Sequence, residues 1–144
     1  MQILAVDYGT KRIGLATGNE SGLAVRAVKT LASEGIKRDA HRLIESAQAL
    51  GAGKIIVGLP LNMSGEAGPA AHRARKLVAQ LKKLSDLPVV LWDERLTSQA
   101  ANMWMIEQAI KPGQRRPLRD QIAACLILED YLTHLQRYEA KKTP

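Results

Sequence analysis

Three acidic positions stand where a carboxylate is expensive to keep. Asp7 ends the apolar run "ILAVD", Asp93 and Glu94 end "VVLWDE", and Asp120 opens the helical stretch "DQIAACLIL". A lone ionised carboxylate beside apolar chain is costly, and several brought together repel one another unless a cation lies between them. Oxygen donors of this kind suit Mg²⁺ or Mn²⁺, which keep several waters and accept phosphate oxygens as further ligands. A pair of such ions roughly 4 Å apart can activate an attacking water and stabilise the leaving oxygen of a phosphodiester. Asp7, one of Asp93 and Glu94, and Asp120 are therefore candidate metal ligands for phosphodiester hydrolysis. Each also has an ordinary explanation: a turn residue at Asp7, a surface ion-pair cluster at Asp93 to Arg95, and a helix-dipole partner at Asp120. All three would have to hold at once for the metal reading to lapse.

Cationic residues collect near these acids. Lys11 and Arg12 follow Asp7, Arg95 follows Glu94, and Lys111, Arg115, Arg116 and Arg119 lead up to Asp120. Such side chains position a phosphate backbone without reading its sequence. The glycine-rich stretch "GLPLNMSGEAG" lacks the Gly-Lys-Ser/Thr ending of a Walker loop, and its amides and Asn62 could approach a nucleic-acid backbone instead. Other chemistries find less support. His41, His72 and His134 have no zinc-like spacing with one another or with Cys125, and the Gly-x-Ser-x-Gly of a hydrolase elbow is absent.

The elements that must place these residues follow from periodicity. "ILAVD", "RIGLATG" and "LAVRAVKT" read as three strands joined by turn-rich segments, hence two antiparallel hairpins. Gly9 is expected to turn the chain after Asp7 through a positive φ. Ser33 can cap a helix with Ile36, Ala40, Leu43, Ile44, Ala47 and Leu50 on one face, stopped by Gly51 and Gly53. "KIIVGLP" reads as a strand covered on both faces, and Pro69 opens a second helix striped by Ala74, Leu77, Val78, Leu81 and Leu84. "PVVLWDE" reads as another short buried strand. A third helix runs from a Thr97 cap to Lys111-Pro112-Gly113, and a fourth from Leu118 to about Tyr138.

In that fourth helix Asp120 shares a face with Ala124, Ile127 and Tyr131, so it turns toward the sheet. Ligand sites of open α/β sheets lie beyond the carboxyl ends of strands, where Asp7 and the Asp93-Glu94 pair fall. Strand alternation sends Asp93 and Glu94 to opposite faces, so one of them joins Asp7. The order of elements predicts an α/β fold with a mixed five-stranded sheet, three antiparallel strands and then two parallel ones, flanked by helices. Residues 1–138 form a single domain on this reading, and 139–144 a frayed tail.

Composition sets the outer bounds. The chain has 144 residues, enough for one core, and 21 Lys plus Arg against 14 Asp plus Glu give a net charge of +7, which favours polyanionic partners. Phe is absent, with two Trp and three Tyr, so an aromatic base-stacking platform is not expected to be the main binding device. One cysteine excludes an intrachain disulfide and fits a reducing cytoplasm. Asp7 interrupts the first apolar run, so neither a signal peptide nor a membrane span is expected.

The blocks "DYGTKRIG", "VGLPLNMSG", "DERLTS" and "RDQIAACLILEDYL", in that order, resemble the signature blocks of the YqgF/RuvX family. These are pre-16S rRNA nucleases, also known as Holliday-junction-resolvase-like proteins. The resemblance spans essentially the whole chain. It implies an RNase H-like fold, a cytoplasmic location, and metal-dependent endonuclease action at the 5′ end of 16S rRNA within a pre-ribosomal particle. It implies Asp7, Glu94 (or Asp93) and Asp120 as the acids, with Gly9, Lys11 and Arg12 in the first turn and Asn62, Arg95 and Thr97 near the cleft. Many relatives approach the last aspartate through lysines; here the approach is "GQRRPLRD", whose arginines grip phosphate with a planar fork. Branched DNA is the alternative substrate. Two other functions share these features: a non-catalytic RNA-binding assembly factor, and ATP-dependent phosphotransfer through an Asp-x-Gly-Thr hairpin, which ordinarily requires two such domains.

Overall fold

Alternation in the first strand, β1 (Gln2–Tyr8), divides the molecule. Leu4, Val6 and Tyr8 enter one core, and Ile3 and Ala5 the other. The chain turns at Gly9 to Arg12 into β2 (Arg12–Asn19) and returns as β3 (Arg26–Ala32), both pairings antiparallel. Helix α1 (Ile36–Leu50) leads to β4 (Ala52–Leu59), which lies parallel to β1; helix α2 (Pro69–Leu84) leads to β5 (Val89–Asp93), parallel to β4. A long helix, α3 (Pro112–Lys142), completes the chain. The sheet order is β3-β2-β1-β4-β5, the mixed five-stranded sheet expected from sequence. This computed structural model describes residues 1–21, 25–60, 68–93 and 112–142, with backbone alone at 112–117 and 136–142. The helix predicted over 97–111 lies outside the described residues.

Helices α1 and α2 cover the face of Leu4, Val6, Leu15, Ile55 and Val57. Helix α3 covers the other face through Ala124, Ile127, Leu128, Tyr131 and Leu132, packed on Ile3, Ala5, Ala16 and Ile56. Ile55, Ile56 and Val57 are all fully buried, as the continuous apolar run of β4 predicts for a strand covered on both sides. Polar ties hold α3 in register over the sheet. Gln121 Nε2 donates to Thr30 Oγ1 at 3.0 Å, Trp92 Nε1 to Asp130 Oδ2 at 2.7 Å, and Lys54 Nζ to Tyr131 Oη at 2.9 Å.

Several boundaries differ from expectation. β3 occupies 26–32 instead of 23–30, because its end pairs with the start of β2 (Arg12 opposite Ala32) and Ser33 N–H then bonds the Lys11 carbonyl at 2.9 Å. Ser33 does not cap α1. The N-cap is Gly35, at φ 105°, and Ser33 Oγ donates to Asp39 Oδ2 at 2.6 Å while Asp39 Oδ1 accepts the Glu34 N–H at 2.8 Å. Asp39, in the helix's first turn, thus reaches back past the N-cap to the backbone N–H of the residue before it. Gly51 alone ends α1, in the left-handed conformation, and Gly53 already belongs to β4. Leu84 is exposed, and Ala71 joins the buried stripe of α2. β5 is half-buried throughout, since among the described strands it stands at the end of the sheet, beside β4. Helix α3 starts at Pro112, because proline suits a first helical position as well as it marks a stop, and it runs to Lys142 through most of the expected frayed tail.

Candidate active site

Asp7 comes one residue after the buried Val6, half-buried at the carboxyl end of β1. It pairs with Gly14 of β2, and residues paired across antiparallel strands share a face. A side chain built on Gly14 would point straight into α3: its Cβ would lie 2.0 Å from the Asp120 carbonyl oxygen and 3.0 Å from the Asp120 Cα. Asp7 and Asp120 therefore share the α3 face of the sheet, since Gly14, the partner of Asp7, lets the backbone of Asp120 rest on strand backbone. On the other side of Asp7, β4 follows the same register: Val6 pairs with Val57, and the next residue of β4 is Gly58, which adds no side chain beside the carboxylate.

The turn after β1 does not use the expected positive φ. Among the described glycines that conformation belongs to Gly35 and Gly51. Gly9 is required for space instead, since its N–H bonds the Arg12 carbonyl at 2.9 Å and a Cβ there would stand 2.6 Å from that oxygen. This tight loop lifts Lys11 and Arg12 to the rim. Arg12 Nε donates to Asp120 Oδ2 at 2.9 Å, with 13% of the Asp120 side chain and 31% of the Arg12 side chain exposed. Gly9, Thr10, Lys11, Arg12, Arg119 and Asp120 line a cavity of about 280 Å³. Its polar walls carry three cationic side chains and one carboxylate, so it is shaped for an anion that neighbours an acid.

Behind the loop lies a second polar group that sequence reasoning missed. Asp39 is fully buried and accepts hydrogen bonds from Tyr8 Oη at 2.7 Å and from Ser33 Oγ at 2.6 Å. Burial, and next the bond to Asp39, raise the Tyr8 hydroxyl above its ordinary value. Arg73 of α2 closes the arrangement, donating to the Gly9 carbonyl at 3.3 Å and standing 4.8 Å from the centre of the Tyr8 ring. Tyr8 is the neighbour of Asp7 on the opposite face, so this network fixes the end of β1 from behind. An acid in the first turn of a predicted helix was the available signal for Asp39. An isolated glycine within a strand pattern was the signal for Gly14.

The acid of the last strand divides by parity. Val89 and Leu91 pack with the α1/α2 core, and Val90 and Trp92 with the α3 core. Alternation places Asp93 with Val89 and Leu91, on the face opposite Asp7. Glu94, Arg95, Asn62 and Thr97 lie outside the described residues, as do the side chains of Arg115 and Arg116. Among the described residues no three His, Cys, Asp or Glu side chains gather as a metal site, and the carboxylates that share a face are Asp7 and Asp120. Two hard oxygen donors from separate elements, beside a glycine on each neighbouring strand, fit a hydrated Mg²⁺ or Mn²⁺ better than a softer ion. No helix among the described residues is long and apolar enough to cross a membrane.

Residues 1–134 match the RuvX family, described as Holliday junction resolvase. Proteins named "Putative pre-16S rRNA nuclease" from Thermoanaerobacter pseudethanolicus and Methylocella silvestris are each 38% identical, over 133 and 139 residues. These alignments cover 92% and 96% of this chain, and 96% and 86% of the relatives. A protein of the same name from Geobacillus kaustophilus is 38% identical over 134 residues, 92% of this chain and 97% of its own. Among solved structures, T. thermophilus RuvC in complex with Holliday junction substrate has a TM-score of 0.61 at 18% identity, covering 94% of this chain and 96% of RuvC. The fowlpox virus Holliday junction resolvase has a TM-score of 0.60 at 16% identity, covering 94% and 99%. At such identities the likeness is one of fold, and it agrees with the RNase H-like architecture. By its family match and its close full-length relatives, the chain belongs to the RuvX family.

Proposed function

We propose that the protein is a metal-dependent endonuclease that hydrolyses phosphodiester bonds at the 5′ end of pre-16S rRNA, in the cytoplasm and on a pre-ribosomal particle. The observation that supports this reading is the placement of Asp7 and Asp120 on one sheet face, with Asp120 lining a cavity together with Lys11, Arg12 and Arg119. The names of the relatives supply the substrate class.

Asp7, Glu94 and Asp120 are the assigned ligands and catalytic acids. The side-chain parity of β5 speaks against Asp93, which alternation places with Val89 and Leu91 on the face opposite Asp7, and Glu94 is assigned as the second acid. Bound Mg²⁺ or Mn²⁺, two ions on this assignment, would supply a polarised water and charge neutralisation at the phosphate. The chain's own residues do the rest. Lys11, Arg12 and Arg119 draw a phosphate into the cavity, and Arg95, Arg115, Arg116 and Asn62 are assigned to the flanking backbone. Gly14 keeps Asp120 close, and the Tyr8-Asp39 bond holds the strand that carries Asp7.

The test incubates purified protein with a 16S precursor fragment and, separately, with a DNA four-way junction, in Mg²⁺, Mn²⁺ or chelator. The expected result is metal-dependent cleavage of the RNA, reduced at least about a hundredfold in Asp7→Asn. Cleavage that survives chelator and Asp7→Asn would refute the proposal. Cutting of the junction alone would assign DNA as substrate, and RNA binding with no cutting would assign an assembly factor.

A further inference from the structure

Arg12 and Asp120 are joined across 108 positions of sequence by a 2.9 Å bond, and the two partners have different tasks. Asp120 is a ligand in the proposed metal site, whereas Arg12 is a phosphate-binding cation. Asp120 Oδ2 accepts the Arg12 Nε–H, and a dication at that carboxylate would draw on its shared negative charge and repel the guanidinium. The backbone of Arg12 does not move to relieve this. Its carbonyl accepts the Gly9 N–H at 2.9 Å, and Arg12 pairs with Ala32 of β3. Only the side chain is free to swing, and the cavity it lines with Lys11 and Arg119 is where a phosphate would sit.

We propose that Arg12 is a phosphate ligand held in reserve by Asp120, released into the cavity when a divalent cation takes that carboxylate. This rests on the metal-dependent reading above. It couples the two binding events: cation occupancy frees the arginine for RNA, and RNA that captures the arginine frees Asp120 for the cation. By linkage the two effects are equal in size. RNA encountered without metal meets a cavity short of one cationic hand, so gripping of the backbone and readiness to cut arise together.

The test uses the full chain and two readouts that need no turnover. Mn²⁺ binding, followed by the electron-spin resonance of the free ion, is compared for wild type, Arg12→Gln, Lys11→Gln and Asp7→Asn. Arg12→Gln should tighten Mn²⁺ about tenfold, because a charge-assisted hydrogen bond no longer competes for the carboxylate. Lys11→Gln removes the same charge from the same cavity without freeing Asp120, and should change affinity by about twofold at most. Equal tightening in both variants, or none in Arg12→Gln, would overturn the proposal. Mn²⁺ binding indifferent to Asp7→Asn would overturn the metal site itself, a result distinguishable from the first two.

The second readout is affinity for a 16S precursor fragment, measured with Ca²⁺ and with chelator, the fragment being checked as intact on a gel. Arg12→Gln should weaken binding about tenfold in Ca²⁺ and less than about twofold in chelator. Equal losses in the two conditions would overturn the proposal. Arg12→Met keeps the packing of the stem and serves as the second variant, with the same pattern expected.

Discussion

Replacing Gly14 by alanine tests the geometry on which the site depends. The added Cβ would lie 2.0 Å from the Asp120 carbonyl oxygen and 2.3 Å from its carbonyl carbon, both backbone atoms that no rotamer change can move. Real Cβ contacts essentially never fall under 3.0 Å, so helix α3 must retreat by about 1 Å at Asp120, or β2 must bend away by as much. The helix is tied down beyond that point, by Gln121 to Thr30 and by Trp92 to Asp130, and Ala124, Ile127 and Leu128 are buried beneath it. Retreat therefore opens packing and stretches the 2.9 Å bond from Arg12.

Overpacking of this kind costs about 1–3 kcal/mol, and a displacement near 1 Å at a catalytic group costs about a hundredfold in rate. The expected result for Gly14→Ala is thus a stability loss of about 2 kcal/mol in urea denaturation and a roughly hundredfold slower cut of the 16S precursor fragment. Gly18→Ala is the control on the same strand. Its Cβ meets Val25 Cγ2 at 2.9 Å, Leu128 Cδ2 at 3.1 Å and the Val25 Cα at 3.2 Å, so it crowds its neighbours without touching the Asp120 backbone, and it lies four residues from Asp7's partner. Activity within about twofold of wild type in Gly14→Ala, with stability lowered by less than about 0.5 kcal/mol, would refute the close crossing as the device that positions Asp120.

Asp39→Ala removes the acceptor from Tyr8 Oη, Ser33 Oγ and the Glu34 N–H at once; we expect a loss of roughly 3–5 kcal/mol and a melting temperature lower by on the order of 10 °C. A loss under about 1 kcal/mol in chemical denaturation would remove this network from the stabilising features. Burial, then Glu129, push the Cys125 thiol from an ordinary 9.0 to about 11, and burial raises Tyr8 as well. The unfolded chain releases both protons first, so stability from these groups is complete below about pH 9 and falls as pH climbs toward 11; urea midpoints that stay level from pH 8 to 10.5 would contradict it.

The sheet and the position of Asp7 were legible in sequence because each follows from local pattern. "ILAVD" and "RIGLATG" are short apolar runs bounded by turn formers, "IIVGL" in β4 is a continuous apolar run, and the burial of Ala124, Ile127 and Tyr131 follows from their helical spacing with Asp120. Features that depend on approach between distant elements were not legible. Ser33 had the chemistry of an N-cap, yet the buried Asp39 captured its hydroxyl, because a fully buried carboxylate is costly to leave unsatisfied. Gly9 had the type expected for positive φ, and steric closeness to the Arg12 carbonyl explains it instead. The Lys111-Pro112-Gly113 segment carried signals both for stopping one helix and for opening the next, and the structure uses its proline to open α3. The face that Asp93 takes needed the packing of its neighbours. Only when Trp92 is seen beneath α3 does parity point away from Asp93.

That parity also explains why two consecutive residues of β1 have such different roles. Tyr8 points into the α1/α2 core, where its hydroxyl is bonded to a buried carboxylate and its ring lies beneath Arg73. Asp7 takes the other face, toward Asp120. An acid meant to hold a cation must resist being pulled toward it, and a strand end is the part of a sheet most prone to fray. Placing the anchor one residue away, on the opposite face, fixes the backbone of the strand end. A one-residue slip of β1 would exchange the two, burying the carboxylate in an apolar core and exposing the phenol to the cleft. The Tyr8-Asp39 bond thus protects the register as well as the stability, and the site's acid and its restraint are specified by the same two adjacent letters of sequence.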